Sequence, residues 1–192
     1  DTFNDRIFFS VFHSISAFCN AGFSTLSNSL YEEGFRYNYS LHACIAILIV
    51  FGGLGYGVFI DIYQYIKKWM GYNAYHFLKI SWSKNTQKIK PHLSLNSKIV
   101  LYTSLILIIV GTLFFYLLEI DNTLQEHSQF GKLMTSIFGS ITTRTAGFNT
   151  VDTGSLHFST LVIILFLMWI GASPGSTGGG IKTTTFAVGT LS

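Results

Sequence analysis

Apolar residues occur along this chain in runs of two lengths. Residues 41–60 and 99–118 are each 20 positions long and free of Asp, Glu, Lys and Arg. As helices rising 1.5 Å per residue they can cross a hydrocarbon core of about 30 Å. A third uncharged run, residues 156–181, dissolves into glycines at its end. The short runs, residues 7–17 and 133–143, have 11 positions each. That is about 16 Å of helix, half a bilayer, so neither can span. Each short run leads within a few residues into a glycine turn: Cys19-Asn20-Ala21-Gly22-Phe23-Ser24-Thr25 in one case, Arg144-Thr145-Ala146-Gly147-Phe148-Asn149-Thr150 in the other. A long apolar run follows both, so the chain holds one unit twice.

A short helix, a glycine turn and a membrane-length segment together predict a re-entrant loop, because backbone that leaves a helix at membrane depth must line water or an ion. Replacing the hydration shell of a monovalent cation needs backbone carbonyls turned toward one axis, and glycine allows that conformation because it has no Cβ. Gly22 and Gly147 are the expected conformational pivots. Asn20, Ala21 and Phe23, with Thr145, Ala146 and Phe148, are expected to supply carbonyls and packing. Ser14, Ser16, Ser140, Thr142 and Thr143 stand nearby to satisfy local backbone groups. The alternative for each copy is an ordinary glycine helix cap with a packing aromatic after it. Recurrence at equivalent positions favours the pore loop.

Composition and charge fix the surroundings. The chain is 49% hydrophobic and 16% aromatic but 11% charged, against roughly 25% in a soluble domain, and its mean hydropathy is +0.44. Asp1 opens a polar stretch rather than a basic, Met-led leader, which suggests an internal fragment of a longer protein. The net charge of +3 is unevenly placed: Lys67, Lys68, Lys79, Lys84, Lys88, Lys90 and Lys98 fall between the first two spans with no Asp or Glu among them. This distribution argues against nucleic acid as a partner and puts the basic segment in the cytoplasm. Glu119, Asp121 and Glu126 then fall outside, and both glycine turns are entered from the outer face. The expected class is an all-α integral membrane protein in three parts: residues 1–66 with pore helix, filter and inner helix; residues 67–98 as a basic cytoplasmic loop; residues 99–192 with outer helix, pore helix, filter and broken inner helix.

Residues 12–24, residues 140–150 and the segment Gly171-Ala172-Ser173-Pro174-Gly175-Ser176-Thr177-Gly178-Gly179-Gly180-Ile181-Lys182 resemble the second pore loop, the third pore loop and the broken third inner helix of the TrkH/KtrB/HKT superfamily of potassium transporters. The resemblance implies four outer-helix, pore-loop, inner-helix repeats around one pore, each giving one filter glycine. This chain would hold the end of repeat two and most of repeat three. It further implies potassium uptake at the plasma membrane, with sodium as a coupling or activating ion. Its expected partners are membrane lipids, a second full-length copy in a homodimer and a cytoplasmic nucleotide-binding regulatory ring. The lead-in Leu93-Ser94-Leu95-Asn96-Ser97-Lys98 looks more like the Ktr branch than the Trk branch. A sodium-permeable relative and a non-conducting membrane scaffold are the competing readings. No covalent chemistry is expected.

The run from Gly171 to Lys182 also has a reading of its own. Its glycines and Pro174 cannot sustain a helix, at about 1 kcal/mol lost per glycine, although it lies at membrane depth. The resemblance makes it a gate below the filter, built from Gly175, Ser176, Thr177, Gly178, Gly179 and Gly180, with Lys182 restarting the helix. Small-residue helix packing is the alternative, though its glycines recur four apart. A phosphate-binding loop is excluded by a spacing one residue too long and by the absence of a preceding strand. Gly53-Leu54-Gly55-Tyr56-Gly57 looks like a channel filter but has no pore helix before it; a hinge or close contact in a continuous inner helix is expected, with Gly52 matching Gly171. Cys19 and Cys44 read as packing thiols and His13 as a helix-packing hydrogen bond. Arg144, a cation beside a cation filter, is expected to turn away and be neutralised by Asp152.

Overall fold

The computed structural model describes residues 3–78 and 92–191, with side chains for all of these except 71–78 and 191. Seven α-helices follow in order: α1 (Phe3–Phe18), α2 (Tyr39–Leu54), α3 (Tyr56–Leu78), α4 (Leu95–Glu119), α5 (Gln129–Thr142), α6 (Phe158–Trp169) and α7 (Thr183–Leu191). Among the described residues there is no strand, only an isolated parallel bridge between Ile170 and Ile181. Short polar residues start the helices. Asn38, Ser94 and Ser128 each accept a backbone N–H of the first turn, from Leu41, Ser97 and Gly131 respectively, an arrangement worth about 1 kcal/mol per cap.

α4 has 25 residues, about 37 Å, and is long and apolar enough to cross a membrane by itself. α1 and α5, with 16 and 14 residues, are longer than the runs that predicted them, yet at about 24 and 21 Å they remain too short to span. α5 lies in the middle, packed on α4 and α2, and α1 packs on α2. The α4–α5 contact is close because small residues meet there. A Cβ on Gly111 would strike the Ser140 hydroxyl, and one on Gly139 would lie 2.9 Å from the Phe115 ring. Ser140 Oγ donates to Ile108 O at 2.9 Å across the same contact. The main apolar core gathers Ala17, Ile45, Ile49, Phe138, Ile141 and Phe148 from α1, α2, α5 and the second glycine turn.

Two expectations are corrected. Residues 41–60 do not form a continuous inner helix: α2 ends at Leu54, Gly55 takes a left-handed φ of 82°, and α3 leaves at a bend of 103°. The physical reason is long-range. Gly52 O and Gly53 O accept N–H groups from Thr177 and Ser173, while Tyr56 N donates to Gly175 O, so a distant loop replaces the missing helical bonds. Second, α3 runs to Leu78, so the first part of the expected loop, residues 67–78, is helical. Lys79, Lys84, Lys88 and Lys90 lie outside the described residues.

Both ends of α4 are tied by charge and hydroxyl chemistry. Glu119, at the end of α4, has no exposed surface and accepts from Asn122 Nδ2 (2.8 Å), Thr123 Oγ1 (2.9 Å), His157 N (3.0 Å) and Thr160 Oγ1 (2.5 Å). One carboxylate thereby closes α4 and opens α6, where its charge favours the helix N-terminus. At the other end of α4, Asp61 accepts from Ser94 Oγ and, at 2.6 Å, Ser97 Oγ, joining α3 to α4.

Candidate functional site

The two glycine turns have the same backbone. Asn20 (φ 50°) and Gly22 (φ 69°) are left-handed in the first, Thr145 (φ 70°) and Gly147 (φ 85°) in the second, with Ala21 and Ala146 between them at negative φ. Alternation in the sign of φ is a backbone pattern that can turn successive carbonyls toward one side. A left-handed Asn is common; Thr145 costs more, roughly 1–2 kcal/mol for an L-residue there. Each turn hangs from its preceding helix by a bond five residues back, from the residue before the glycine in the first copy and from the glycine itself in the second: Ala21 N donates to Ser16 O at 2.9 Å, Gly147 N to Thr142 O at 3.3 Å. The side chains of those same anchors reach round to the far end of the turn. Ser16 Oγ donates to Phe23 O and Thr142 Oγ1 to Phe148 O, both at 2.7 Å.

The turns meet at their glycines. A Cβ on Gly22 would collide with Ala146 O and lie 2.9 Å from Gly147 Cα, while one on Gly147 would sit 3.5 Å from Gly22 Cα. At position 22 only glycine allows this approach; at position 147 a Cβ would find room, and the demand is the left-handed φ. The Asn20 amide is oriented by its acceptors: the nitrogen donates to Ile49 O at 3.2 Å and Ala17 O at 3.1 Å, fixing the first turn to α2. His13 Nδ1–H donates to Phe9 O at 2.8 Å, because a carbonyl can only accept, and Nε2 therefore accepts from Ser24 Oγ at 2.9 Å. His13 thus makes the packing hydrogen bond expected of it, anchoring the segment just beyond the turn.

The glycine loop lies against both turns. It is a loop between α6 and α7 whose two ends are joined by Gly171 N to Ile181 O at 2.9 Å and Ala172 N to Gly179 O at 3.1 Å. A Cβ on Gly178 would be 2.6 Å from Thr145 Oγ1 and 3.3 Å from the Asn20 amide, so this residue touches both copies. Thr177 Oγ1 donates within reach of two carbonyls, Phe18 O and Gly52 O, each at 3.2 Å. Ser176 Oγ closes the loop's own turn on Ser173 O at 2.5 Å. Lys182 Nζ donates to Gly178 O at 2.9 Å and so braces the loop from its far side. Gly175 and Gly180 take left-handed φ values of 70° and 73°.

Arg144 departs from expectation. It is 8% exposed and its Nε has no partner, whereas Asp152 accepts from Gly154 N and Ser155 Oγ, both at 3.0 Å, within its own turn. Asp152 is committed to capping a single 3-10 turn, Thr153–Ser155, and does not neutralise Arg144. The guanidinium borders a small cavity with Asn20, Gly53, Leu54, Ser104 and Ala172. Cys19 and Cys44 are free and exposed. Sequence reasoning missed Glu119, Asp61 and the outer clasp formed by Arg36–Glu126 (2.8 Å) and Tyr39 OH with His127 Nδ1 (2.9 Å). The signal for Glu119 was its place directly after an uncharged 20-residue run.

Residues 2–191 match the family model described as TrkH, cation transport protein. The chain belongs to that family. Its members transport cations and are not enzymes. Among relatives, the chain is 39% identical over 184 residues to the Ktr system potassium uptake protein B of Vibrio alginolyticus, covering 95% of this chain and 36% of that one. It is 35% identical over 183 residues to the potassium/sodium uptake protein NtpJ of Enterococcus hirae, covering 95% and 35%. The crystal structure of the potassium transporter TrkH from Vibrio parahaemolyticus matches in fold at a TM-score of 0.67, with 20% identity over 96% of this chain and 34% of that one. The chain therefore spans about a third of the length of these relatives.

Proposed function

We propose that the full-length protein takes up potassium across the plasma membrane, and that Gly22 and Gly147 sit in two of the four filter loops of one pore. The observation that carries this reading is the matched left-handed pattern at Asn20/Gly22 and Thr145/Gly147 in two turns that meet at their glycines. Dehydrating a monovalent cation costs tens of kcal/mol, and a ring of carbonyls can offset it where no carboxylate is needed. Carbonyls of Asn20, Ala21 and Gly22, with Thr145, Ala146 and Gly147, are the ion ligands of this reading. Phe23 O and Phe148 O each already accept a hydroxyl, so they contribute less. The C-terminal ends of α1 and α5 add their negative dipole ends. The loop at Gly175–Gly180, touching Asn20 and Thr145 through Gly178, is the gate, and Lys182 holds it in place.

In this reading residues 1–66, 67–98 and 99–192 are the end of repeat two, a cytoplasmic segment that begins as helix, and most of repeat three. The filters face outward, the full-length chain pairs as a homodimer, and a nucleotide-binding ring and sodium regulate or couple transport from the cytoplasm. A second reading, sodium permeation beside potassium, is favoured by the name of the Enterococcus hirae relative alone.

Rubidium uptake by cells expressing the full-length protein tests the reading. Saturable uptake that potassium competes and sodium does not is expected. Absent uptake from protein in the membrane would support a scaffold, and equal competition by sodium would support the second reading. The gate is tested separately: deleting residues 176–179 removes the contact under both turns and raises uptake or frees it from regulation. Lower flux through a folded, inserted deletion variant would contradict the gate.

A further inference from the structure

α3 presents an apolar stripe that stands exposed among the described residues. Tyr56, Phe59, Tyr63, Ile66 and Met70 recur at intervals of three and four, on one face, and each is between 46% and 74% exposed. The opposite side is occupied: Val58 and Ile62 pack with Leu54, Val100 and Leu101, and Asp61 bonds Ser94 and Ser97 of α4. This arrangement is an amphipathic helix with its packing side satisfied and its aromatic side free.

Three observations say what lies against the free side. The bend of 103° after α2 sets α3 nearly perpendicular to α2, so a helix α2 that crosses a bilayer leaves α3 running along its surface. The exposed apolar face of α2 continues onto α3 without interruption: Phe51 meets Phe59 edge to face, ring centroids 6.5 Å apart, and both are exposed. A surface that is lipid-facing on α2 is therefore lipid-facing at the start of α3 as well. Finally, exposed Lys67 and Lys68 lie at the end of the stripe, next to exposed Trp69, and the sequence from Ile62 to Lys98 has no acidic residue. Aromatic rings with Lys at their border match the headgroup region, where the ring body is buried and the ammonium meets anionic phosphate.

We infer that α3 lies in the interface of the cytoplasmic leaflet, with Tyr56, Phe59, Tyr63, Ile66 and Met70 inserted among acyl chains and Lys67 and Lys68 on anionic lipid headgroups. This goes beyond ion selection and needs only that α2 is a membrane helix.

The test is a nitroxide scan of residues 56–70 in the full-length protein, with native cysteines replaced, in vesicles of phosphatidylcholine alone or mixed with phosphatidylserine. Collision with oxygen reports lipid and collision with a nickel chelate reports water. Oxygen maxima at positions 56, 59, 63, 66 and 70, with minima at 58 and 62, are expected, as is deeper insertion at 63 when phosphatidylserine is present. That lipid dependence is expected to be lost in the Lys67→Gln, Lys68→Gln double variant. Low access to both reagents at 63 would mean protein covers the stripe, and dominant nickel access would mean water does; either overturns the inference. Equal depth in both lipid mixtures would overturn the role of the lysines. Rubidium uptake by the same labelled variants reports the pore independently, so failure of one reading leaves the other standing.

Discussion

The two copies of the glycine turn share backbone angles but not surroundings. Phe148 of the second is 0% exposed, enclosed with Ala17, Ile45 and Phe138, while Phe23 of the first is 71% exposed. The difference follows from neighbours. α5 is packed between α4 and α2, with a helix on either side, whereas among the described residues α1 packs chiefly on α2. α1 accordingly leaves Ile7, Phe8, Val11 and Ile15 exposed. The turn's conformation is local, held by Ser16, Thr142 and glycine; burial of the aromatic in the second copy comes from α1 and α2 closing on α5. Such a turn is thus specified in two layers, and the described residues complete both for the second copy.

The comparison is broken most forcefully at the aromatics. Phe148→Ala leaves a cavity in the core and should destabilise the full-length protein by about 3–5 kcal/mol, whereas Phe23→Ala, judged by its exposure, should change stability by about 0.5 kcal/mol or less. Thermal unfolding of the purified proteins in detergent measures both. A large loss at Phe23 would show that a segment beyond these residues covers the first copy as α1 and α2 cover the second.

Next come the glycines, which the geometry makes unequal. Both would strain a side chain at positive φ by about 1–2 kcal/mol, but a Cβ at Gly22 also collides with Ala146 O, while at Gly147 it has ordinary contact distance. Gly22→Ser should therefore lower both folding yield and potassium-over-sodium selectivity, and Gly147→Ser mainly selectivity. Equal losses of yield in membrane expression assays would remove the asymmetry.

The hydroxyl anchors should cost less. Ser16→Ala and Thr142→Ala each free one filter carbonyl at a stability cost of about 1 kcal/mol. Because the freed oxygen can turn toward the ion, the ratio of rubidium to potassium flux is expected to shift in both. An unchanged ratio would show that Phe23 O and Phe148 O do not report on the pathway.

The smallest effect concerns the clasp between the copies. Burial, and then the nearby Arg36 charge, hold His127 below the usual histidine pKa. A depressed folded value means that the neutral ring is favoured in the fold. Its contribution is complete above about pH 6.5, the unfolded value, and is lost as pH falls from there through the folded value. Stability should decline on acidification over that window, and His127→Gln should flatten the decline. A pH dependence identical in the variant would assign it to other groups.

What was legible in the sequence was what is encoded locally. The half-length helices, the two glycine turns, the loss of helix after residue 169 and the membrane class all follow from run length and glycine placement. The break at Gly55 was seen only as a weak point, since four glycines between 52 and 57 allow a hinge without requiring one. What requires it is hydrogen bonding to residues 173–177, more than a hundred positions away. Arg144 was misread for the same kind of reason. Asp152 is near in sequence, but its carboxylate is taken by Gly154 N and Ser155 Oγ.

The central claim is that the two turns face one ion. It is tested most directly by anomalous diffraction from crystals of the full-length protein grown with rubidium. The account predicts a rubidium peak within coordination distance of carbonyls from both turns, among Asn20–Gly22 and Thr145–Gly147, with the two glycine backbones parted around it. A peak bound elsewhere in the pore, with Gly22 and Gly147 still in contact, would contradict it.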